Sequence, residues 1–127
     1  MPAAAAIPRH RPDEQTVVAK AMLRAAQLLG LTAKELAGVV GLSEASLSRL
    51  KQTPEKAHLS GKAYELALLF IRLYRSLDAI TGGDDAASRH WLRAENSALG
   101  GVPASRIRTV DGLTHVLAYL DARRAPI

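Results

Sequence analysis

Apolar residues recur every three to four positions along most of the chain, which is the period of amphipathic helices. The first such stretch runs from Asp13 to Leu29, and the longest runs from Ser60 to about Ile80. No segment shows the period of two that is typical of strands. The pattern therefore predicts an all-α protein of about seven helices. The long helix is predicted to bury one stripe of side chains, comprising Ala63, Leu66, Ala67, Phe70, Tyr74, Leu77 and Ile80.

Residues 30–52 predict two short helices joined by a tight turn. Thr32 and Glu35 form a Thr-x-x-Glu capping box, so a helix should begin directly after Thr32. Gly41 should end that helix, and Ser43 should cap the next one. This layout is typical of a DNA-reading helix-turn-helix, although a helical hairpin in a plain bundle can show the same signals.

The second helix of this pair has few inward positions. Leu47 and Leu50 point into the core, and the rest of the helix is small or polar. Glu44 is an acid that would repel phosphate groups, whereas Arg49 and Ser46 are the expected base or phosphate contacts. The predicted DNA-binding residues are Ser43, Glu44, Ala45, Ser46, Ser48, Arg49 and Lys51.

A second block of helices is predicted after the Gly82-Gly83 pair. Asp84 should cap a helix that continues to about Glu95 and contains the single tryptophan, Trp91. A glycine-rich loop over residues 96–103 follows, in which Gly100 and Gly101 are expected at positions that tolerate no side chain. A short helix then leads to a last helix, which either Thr109 or Asp111 should cap.

Charge and composition add modest support for a nucleic-acid partner. The chain has 127 residues and a formal charge of +5. Residues 1–62 hold nine Lys and Arg against five acids, and residues 63–127 hold eight against seven. The basic excess thus lies with the predicted helix-turn-helix. There is no cysteine, no signal-peptide pattern and no apolar run of membrane-spanning length, so we expect a soluble cytoplasmic protein without a membrane partner.

The spacing of titratable residues indicates no catalytic or metal site. The four histidines lie far apart, and none has a second ligand three or four positions away. The paired glycines lack the strand and the lysine of phosphate-binding loops. The sequence therefore predicts neither an enzyme nor a bound cofactor.

The second block closely resembles the C-terminal half of the Xre/MbcA/ParS-like antitoxins, and the helix-turn-helix resembles their N-terminal half. The resemblance covers roughly residues 14–124. Its most specific pieces are Glu65, Arg72 to Tyr74, Leu77-Asp78, Gly82-Gly83, Trp91-Leu92, Asn96, Leu99-Gly100-Gly101 with Pro103, Gly112, Val116 and Tyr119-Leu120.

This resemblance implies an antitoxin that pairs with a RES-domain toxin, which consumes NAD or uses it to ADP-ribosylate a target. It also implies binding to operator DNA and repression of the antitoxin's own operon, with a homodimer inside a larger toxin-antitoxin complex. The expected organisation is a flexible arm over residues 1–12, a helix-turn-helix DNA-binding domain over residues 13–72 and a toxin-binding domain with a C-terminal tail over residues 73–127. A long shared helix would join the two domains.

The resemblance also places the antitoxin's C-terminal part against the toxin's NAD site. The last helix would dock through Tyr119 and Leu120, and residues 123–127 would cover the pocket. We expect Trp91 to pack in the core of the C-terminal half rather than to contact the partner. The predicted toxin-binding residues are Trp91, Asn96, Leu99, Tyr119, Leu120, Arg123, Arg124 and Ile127. The alternatives are a plain helix-turn-helix regulator with a C-terminal dimerisation domain and a repressor that senses a small molecule.

Overall fold

The computed structural model describes residues 12–124. Over this range the chain forms α1 (Pro12–Leu28), α2 (Ala33–Val40), α3 (Glu44–Gln52), α4 (Gly61–Ile80), α5 (Asp85–Arg93), α6 (Pro103–Arg106) and α7 (Val110–Arg124). Short 3₁₀ turns occur at Pro54–Lys56 and Ser97–Leu99. Within the described range the only extended pairing is an isolated bridge between Asn96 and Gly101. The prediction of an all-α protein is confirmed.

Side chains one turn away cap the starts of α2, α3 and α4. The Thr32 hydroxyl accepts from the backbone N–H of Glu35 at 3.1 Å, and the Glu35 carboxylate accepts from the backbone N–H of Thr32 at 2.9 Å. The Ser43 and Ser60 hydroxyls accept in the same way at the starts of α3 and α4. Each cap satisfies a donor that the first helical turn leaves free. Gly41, at φ 72°, ends α2 in the left-handed conformation.

The long helix α4 is shared by both halves of the molecule. It packs against α1 and α2 on one side and against α7 on another. The predicted stripe is buried from Ala63 to Leu77, with Tyr74 half-buried. Ile80 corrects that prediction, because its side chain is 40% exposed. The buried stripe therefore ends one turn before the helix does.

The C-terminal helices begin as the sequence predicts, with two refinements. Asp84 caps α5 through the backbone N–H of Ala87 at 3.1 Å, and α5 ends at Arg93, two residues before the predicted end. Of the two candidate caps for α7, Thr109 is the one used, because its hydroxyl accepts from the backbone N–H of Gly112 at 3.0 Å.

In the C-terminal half, Gly112 is the glycine that lies closest to the backbone of another segment. A Cβ built on Gly112 would lie 1.7 Å from the Arg106 carbonyl oxygen, so only glycine fits where α6 meets α7. Gly100 and Gly101 differ from it, because no atom lies within 4 Å of a Cβ built on either. Their constraint is the backbone, with φ values of 74° and 151° that L-residues rarely adopt. The expectation that these two positions resist a side chain therefore rests on conformation and not on space.

One core runs through both halves. Met22 from α1, Phe70 from α4, Leu92 from α5 and Leu113 from α7 are all fully buried members of the same apolar cluster. The architecture is thus an N-terminal helix-turn-helix bundle and a smaller C-terminal helical unit, which share α4 and are packed onto a common core.

Candidate functional site

The exposed face of α3 carries a short row of hydrogen-bonded polar groups. The Ser46 hydroxyl accepts from the Ser43 hydroxyl at 2.9 Å and from Arg49 Nη2 at 3.1 Å. Leu47 and Leu50 lie on the opposite face and are buried, as predicted. The guanidinium of Arg49 is therefore held beside Ser46, and no carboxylate within residues 12–124 pairs with it. It can exchange this hydrogen bond for one to a base or a phosphate. The other predicted residues of this face, Glu44, Ala45 and Ser48, are exposed.

A surface groove of about 320 Å³ extends this row past the end of α3. Ser46 and Arg49 line this groove together with Lys56 and His58. The sequence did not single out these last two residues, since they belong to the segment between α3 and α4 that shows no helical period. Their position makes the basic surface wider than α3 alone.

Lys51 lies on a different side of α3 from Arg49. It borders a groove of about 550 Å³ between α1 and the start of α2, together with Lys20 and Arg24. Lys20 is paired there with Glu55 at 3.2 Å. The structure therefore groups the predicted DNA-binding residues into two basic surfaces, one on each side of α3.

On the C-terminal half, α5 and α7 bring together two aromatic rings and an arginine. The rings of Trp91 and Tyr119 are 6.4 Å apart between centroids and inclined by 22°. The guanidinium carbon of Arg123 lies 5.2 Å from the centre of the Tyr119 ring. Both rings are half-buried, so one part of each packs on the core and another part faces solvent. We call these three residues the aromatic-arginine stack.

Three other predicted toxin-binding residues have structural roles here. Leu99 and Leu120 are 0% and 1% exposed, so a partner that docks on α7 would contact Tyr119 and not Leu120. The Asn96 side chain accepts from the backbone N–H of Leu99 at 3.2 Å, and its backbone pairs with Gly101. Asn96 thus closes the glycine-rich loop. Ile127 lies outside the described residues.

The last turn of α7 is fastened to α4 by a polar network. Asp121 accepts from the Ser76 hydroxyl at 2.6 Å and from Arg72 Nη2 at 3.0 Å. Arg124 Nη1 donates to the Ser76 hydroxyl at 3.1 Å. Ser76 is 2% exposed, so this network is rooted in the interior. Arg123 and Arg124 therefore belong to a docked helix in the described structure and are not a free tail.

Comparison with known families decides the identity. A family model for the antitoxin Xre-like helix-turn-helix domain matches residues 8–72. A second model, for the antitoxin Xre/MbcA/ParS C-terminal toxin-binding domain, matches residues 76–125. The chain belongs to the Xre/MbcA/ParS family of antitoxins. A search of curated proteins returned no match.

In this antitoxin the boundary between the two matched regions falls inside α4. The row on α3 lies in the helix-turn-helix region, and the aromatic-arginine stack lies in the toxin-binding region. Between residues 12 and 124 no helix is long and apolar enough to cross a membrane, and no group of His, Asp and Glu side chains could hold a metal ion.

The antitoxin also contains a set of contacts between its halves that the sequence did not indicate. Arg93 of α5 donates from both terminal nitrogens to the Glu35 carboxylate, at 2.7 Å for Nη2 to Oε1. The pKa of Glu35 is lowered from 4.5 to about 2, chiefly because the Arg93 hydrogen bond, and after it the Thr32 backbone N–H, favour the charged carboxylate. The two residues are 58 positions apart, so no local pattern could reveal the pair.

Proposed function

We propose that this antitoxin is a cytoplasmic protein that neutralises a RES-domain toxin by direct binding and occlusion of its NAD site, and that it binds operator DNA to repress its own operon. The observation that carries the toxin-binding part is the half-exposed aromatic-arginine stack on the half matched by the toxin-binding model. Tryptophan, tyrosine and arginine are the residue types that most often dominate binding energy at protein interfaces.

The stack has the properties of a preformed anchor. Trp91 and Tyr119 hold each other in one orientation, so little side-chain entropy remains to be lost on binding. Arg123 extends the stack with a positive charge, which fits a partner surface that offers a carboxylate. The partner would therefore present an apolar recess with an acid at its edge.

The end of α7 determines which groups could reach a toxin pocket. Arg124 is bonded to Ser76, so it would have to leave that hydroxyl to enter a pocket. Arg123 is exposed and contacts only the face of Tyr119 among the interactions found for it, so it could reach a carboxylate of the toxin from its present position. We therefore expect Arg123 to contribute more than Arg124, and residues 125–127 to add occlusion beyond the docked helix.

The row on α3 supports the operator-binding part of the proposal. A recognition helix places its N-terminal residues against base edges. Ser43, Glu44 and Ser46 are the polar groups in that region of α3, and the Arg49 side chain reaches back from the last turn to Ser46. A homodimer would place two such helices about 34 Å apart to read successive half-sites. The Lys56 and His58 side of the groove would then lie close to the DNA backbone.

The toxin-binding part is tested by co-purification with the protein encoded beside this chain, followed by an assay of NAD consumption. The full chain should bind that protein and stop its NAD turnover. A chain that ends at Arg124 and one that ends at Asp121 should both still bind. The shorter chain, which lacks both arginines, should leave the toxin most active at saturating antitoxin.

Arg123→Ala provides the single-residue test, and Arg75→Ala is its matched control, since Arg75 is an exposed arginine of α4 that is not part of the stack. Arg123→Ala should weaken toxin binding several-fold and Arg75→Ala should not. Full neutralisation by the chain that ends at Asp121 would show that occlusion comes from elsewhere. An antitoxin chain that dimerises and binds DNA but ignores the neighbouring protein would favour the plain regulator.

A further inference from the structure

Glu44 is the first residue of α3 and places an acid at the start of the proposed recognition helix. Its side chain is exposed, and its carboxylate makes no ion pair or hydrogen bond within residues 12–124. Two other acids of the helix-turn-helix half are paired, Glu35 with Arg93 and Glu55 with Lys20. Glu44 therefore keeps a carboxylate that is free to accept new hydrogen bonds.

The neighbouring polar groups of α3 are already bonded to one another. The Ser43 hydroxyl accepts from the backbone N–H of Ser46 at 3.0 Å, and the Ser46 hydroxyl accepts from Ser43 and from Arg49. Arg49 is thus turned towards Ser46 and does not neutralise Glu44. Among the side-chain acceptors in the first turn of α3, Glu44 is the one that has no donor within the described part of the chain.

The helical period places Glu44 on the surface that would enter a DNA groove. Glu44 and Ser48 are four positions apart and share one ridge of α3, and Ala45 and Arg49 share the next ridge. All four residues are exposed, whereas Leu47 and Leu50 face the core. Because the N-terminal residues of a recognition helix contact base edges, a docked α3 brings Glu44 to the bases.

The chemistry of a carboxylate restricts which base it can contact. An ionised carboxylate only accepts hydrogen bonds, and phosphate oxygens offer it no donor. In the major groove the donors are the N4 amino group of cytosine and the N6 amino group of adenine. Adenine also presents the acceptor N7 beside N6, which repels a second acceptor, and guanine and thymine present acceptors alone. Cytosine is therefore the base that best matches a glutamate.

We infer that Glu44 is a specificity-determining residue, whose carboxylate accepts a hydrogen bond from the N4 amino group of one cytosine in each operator half-site. This inference rests on the proposed binding of operator DNA and names a base that the protein selects. The acid that repels phosphates then serves selectivity. DNA without a cytosine at that position leaves the carboxylate unpaired among acceptor groups, so such DNA binds more weakly.

The test measures base preference for the full chain. The probes are labelled duplexes from the region upstream of the chain's own gene, in which each base pair of the protected site is replaced in turn by the other three. Glu44→Gln keeps the length of the side chain, and glutamine pairs with N6 and N7 of adenine. Glu44→Ala removes the acceptor. Glu65→Gln is the matched control, because it removes the same charge from an exposed position on α4.

The parent and Glu65→Gln should prefer cytosine at one position of each half-site by at least about fivefold, the lower end of discrimination by a single base contact. Glu44→Gln should prefer adenine at that position, and Glu44→Ala should bind all four bases there within about twofold. An acid that only stabilises the start of α3 would change the melting temperature or the affinity for all duplexes equally. Only a base contact changes the preference at one position.

An unchanged base preference in both Glu44 variants would overturn the inference and leave the proposed operator binding standing. A parent chain that binds the upstream duplexes no more tightly than unrelated DNA would overturn the proposed operator binding and the inference with it.

Discussion

The two candidate binding surfaces of the antitoxin are built in different ways. On α3 the contacts that hold Ser43, Ser46 and Arg49 each span three positions of one short segment. On the toxin-binding half, Trp91 and Tyr119 come from different helices, and the bonds that fasten α7 to α4 span 45 to 49 positions. The first surface needs little more than a folded α3. The second exists only when the C-terminal helices are assembled on α4.

The largest expected effect comes from Gly112→Ala, which separates the two surfaces most sharply. The added methyl group would meet the Arg106 carbonyl oxygen, so α6 and α7 must move apart. Unfolding free energy should fall by about 3 kcal/mol or more, at the upper end of overpacking costs. Thermal melting checks this, with Gly61→Ala as a control, because this glycine of α4 has open space around a new Cβ and no positive φ. Equal melting of the parent and Gly112→Ala would contradict the close approach.

Gly101→Val is expected to have the next largest effect. Its φ of 151° is unfavourable for a β-branched residue, and the strain should cost roughly 1–3 kcal/mol. Stability and toxin binding should fall together, because the loop that Asn96 closes contains the buried Leu99. If this variant melts like the parent but no longer binds the toxin, the loop is itself a contact surface.

Arg49→Ala tests the locally built surface. Operator binding should weaken by about 1–3 kcal/mol if Arg49 reads a base, with little change in melting temperature or in toxin binding. Fluorescence anisotropy at several salt concentrations measures both affinity and its salt dependence. The double change with Ser46→Ala removes both the guanidinium and the central hydroxyl of the row. If this double variant binds the operator as tightly as the parent, α3 is not part of the DNA-binding surface.

Ser43→Ala should cost about 1 kcal/mol of stability, because the backbone N–H of Ser46 loses its acceptor. It also removes one donor to the Ser46 hydroxyl, so operator binding should weaken slightly. Ser48→Ala is the control, since Ser48 is exposed on the same helix and caps nothing among the contacts found. A melting temperature that is equal in both variants would argue against the cap.

The smallest expected effect is the pH dependence of the Glu35 contribution. Because the pKa of Glu35 is lowered from 4.5 to about 2, its ion pair stabilises the fold above pH 4.5 and is lost as the pH falls towards 2. Glu35→Gln should therefore be less stable than the parent near pH 7, by roughly 0.5–1 kcal/mol. The difference should shrink as the pH falls towards 2 and vanish only below that value. If the difference in unfolding free energy between the two chains persists unchanged at that pH, lost packing and not the lost ion pair causes it.

The difference between the two surfaces also explains which features could be predicted from the sequence. The helix starts were predictable because Thr32, Ser43 and Asp84 act on backbone groups one turn away. The burial of Leu120 was implied by its spacing from Leu113 and Leu117, but the family resemblance pointed to the surface. The aromatic-arginine stack and the Arg93 to Glu35 pair were not predictable, because tertiary packing alone brings their members together.

The sharing of α4 limits how freely this antitoxin could exchange parts with its relatives. The matched regions meet between residues 72 and 76, yet Phe70, Leu73 and Leu77 on either side of that junction are fully buried in the common core. A chimera spliced there would unite two half-helices whose inward faces were selected against different neighbours. An antitoxin of this kind would thus acquire specificity for a new operator and toxin more readily by substitutions on its two outer surfaces than by recombination of whole domains.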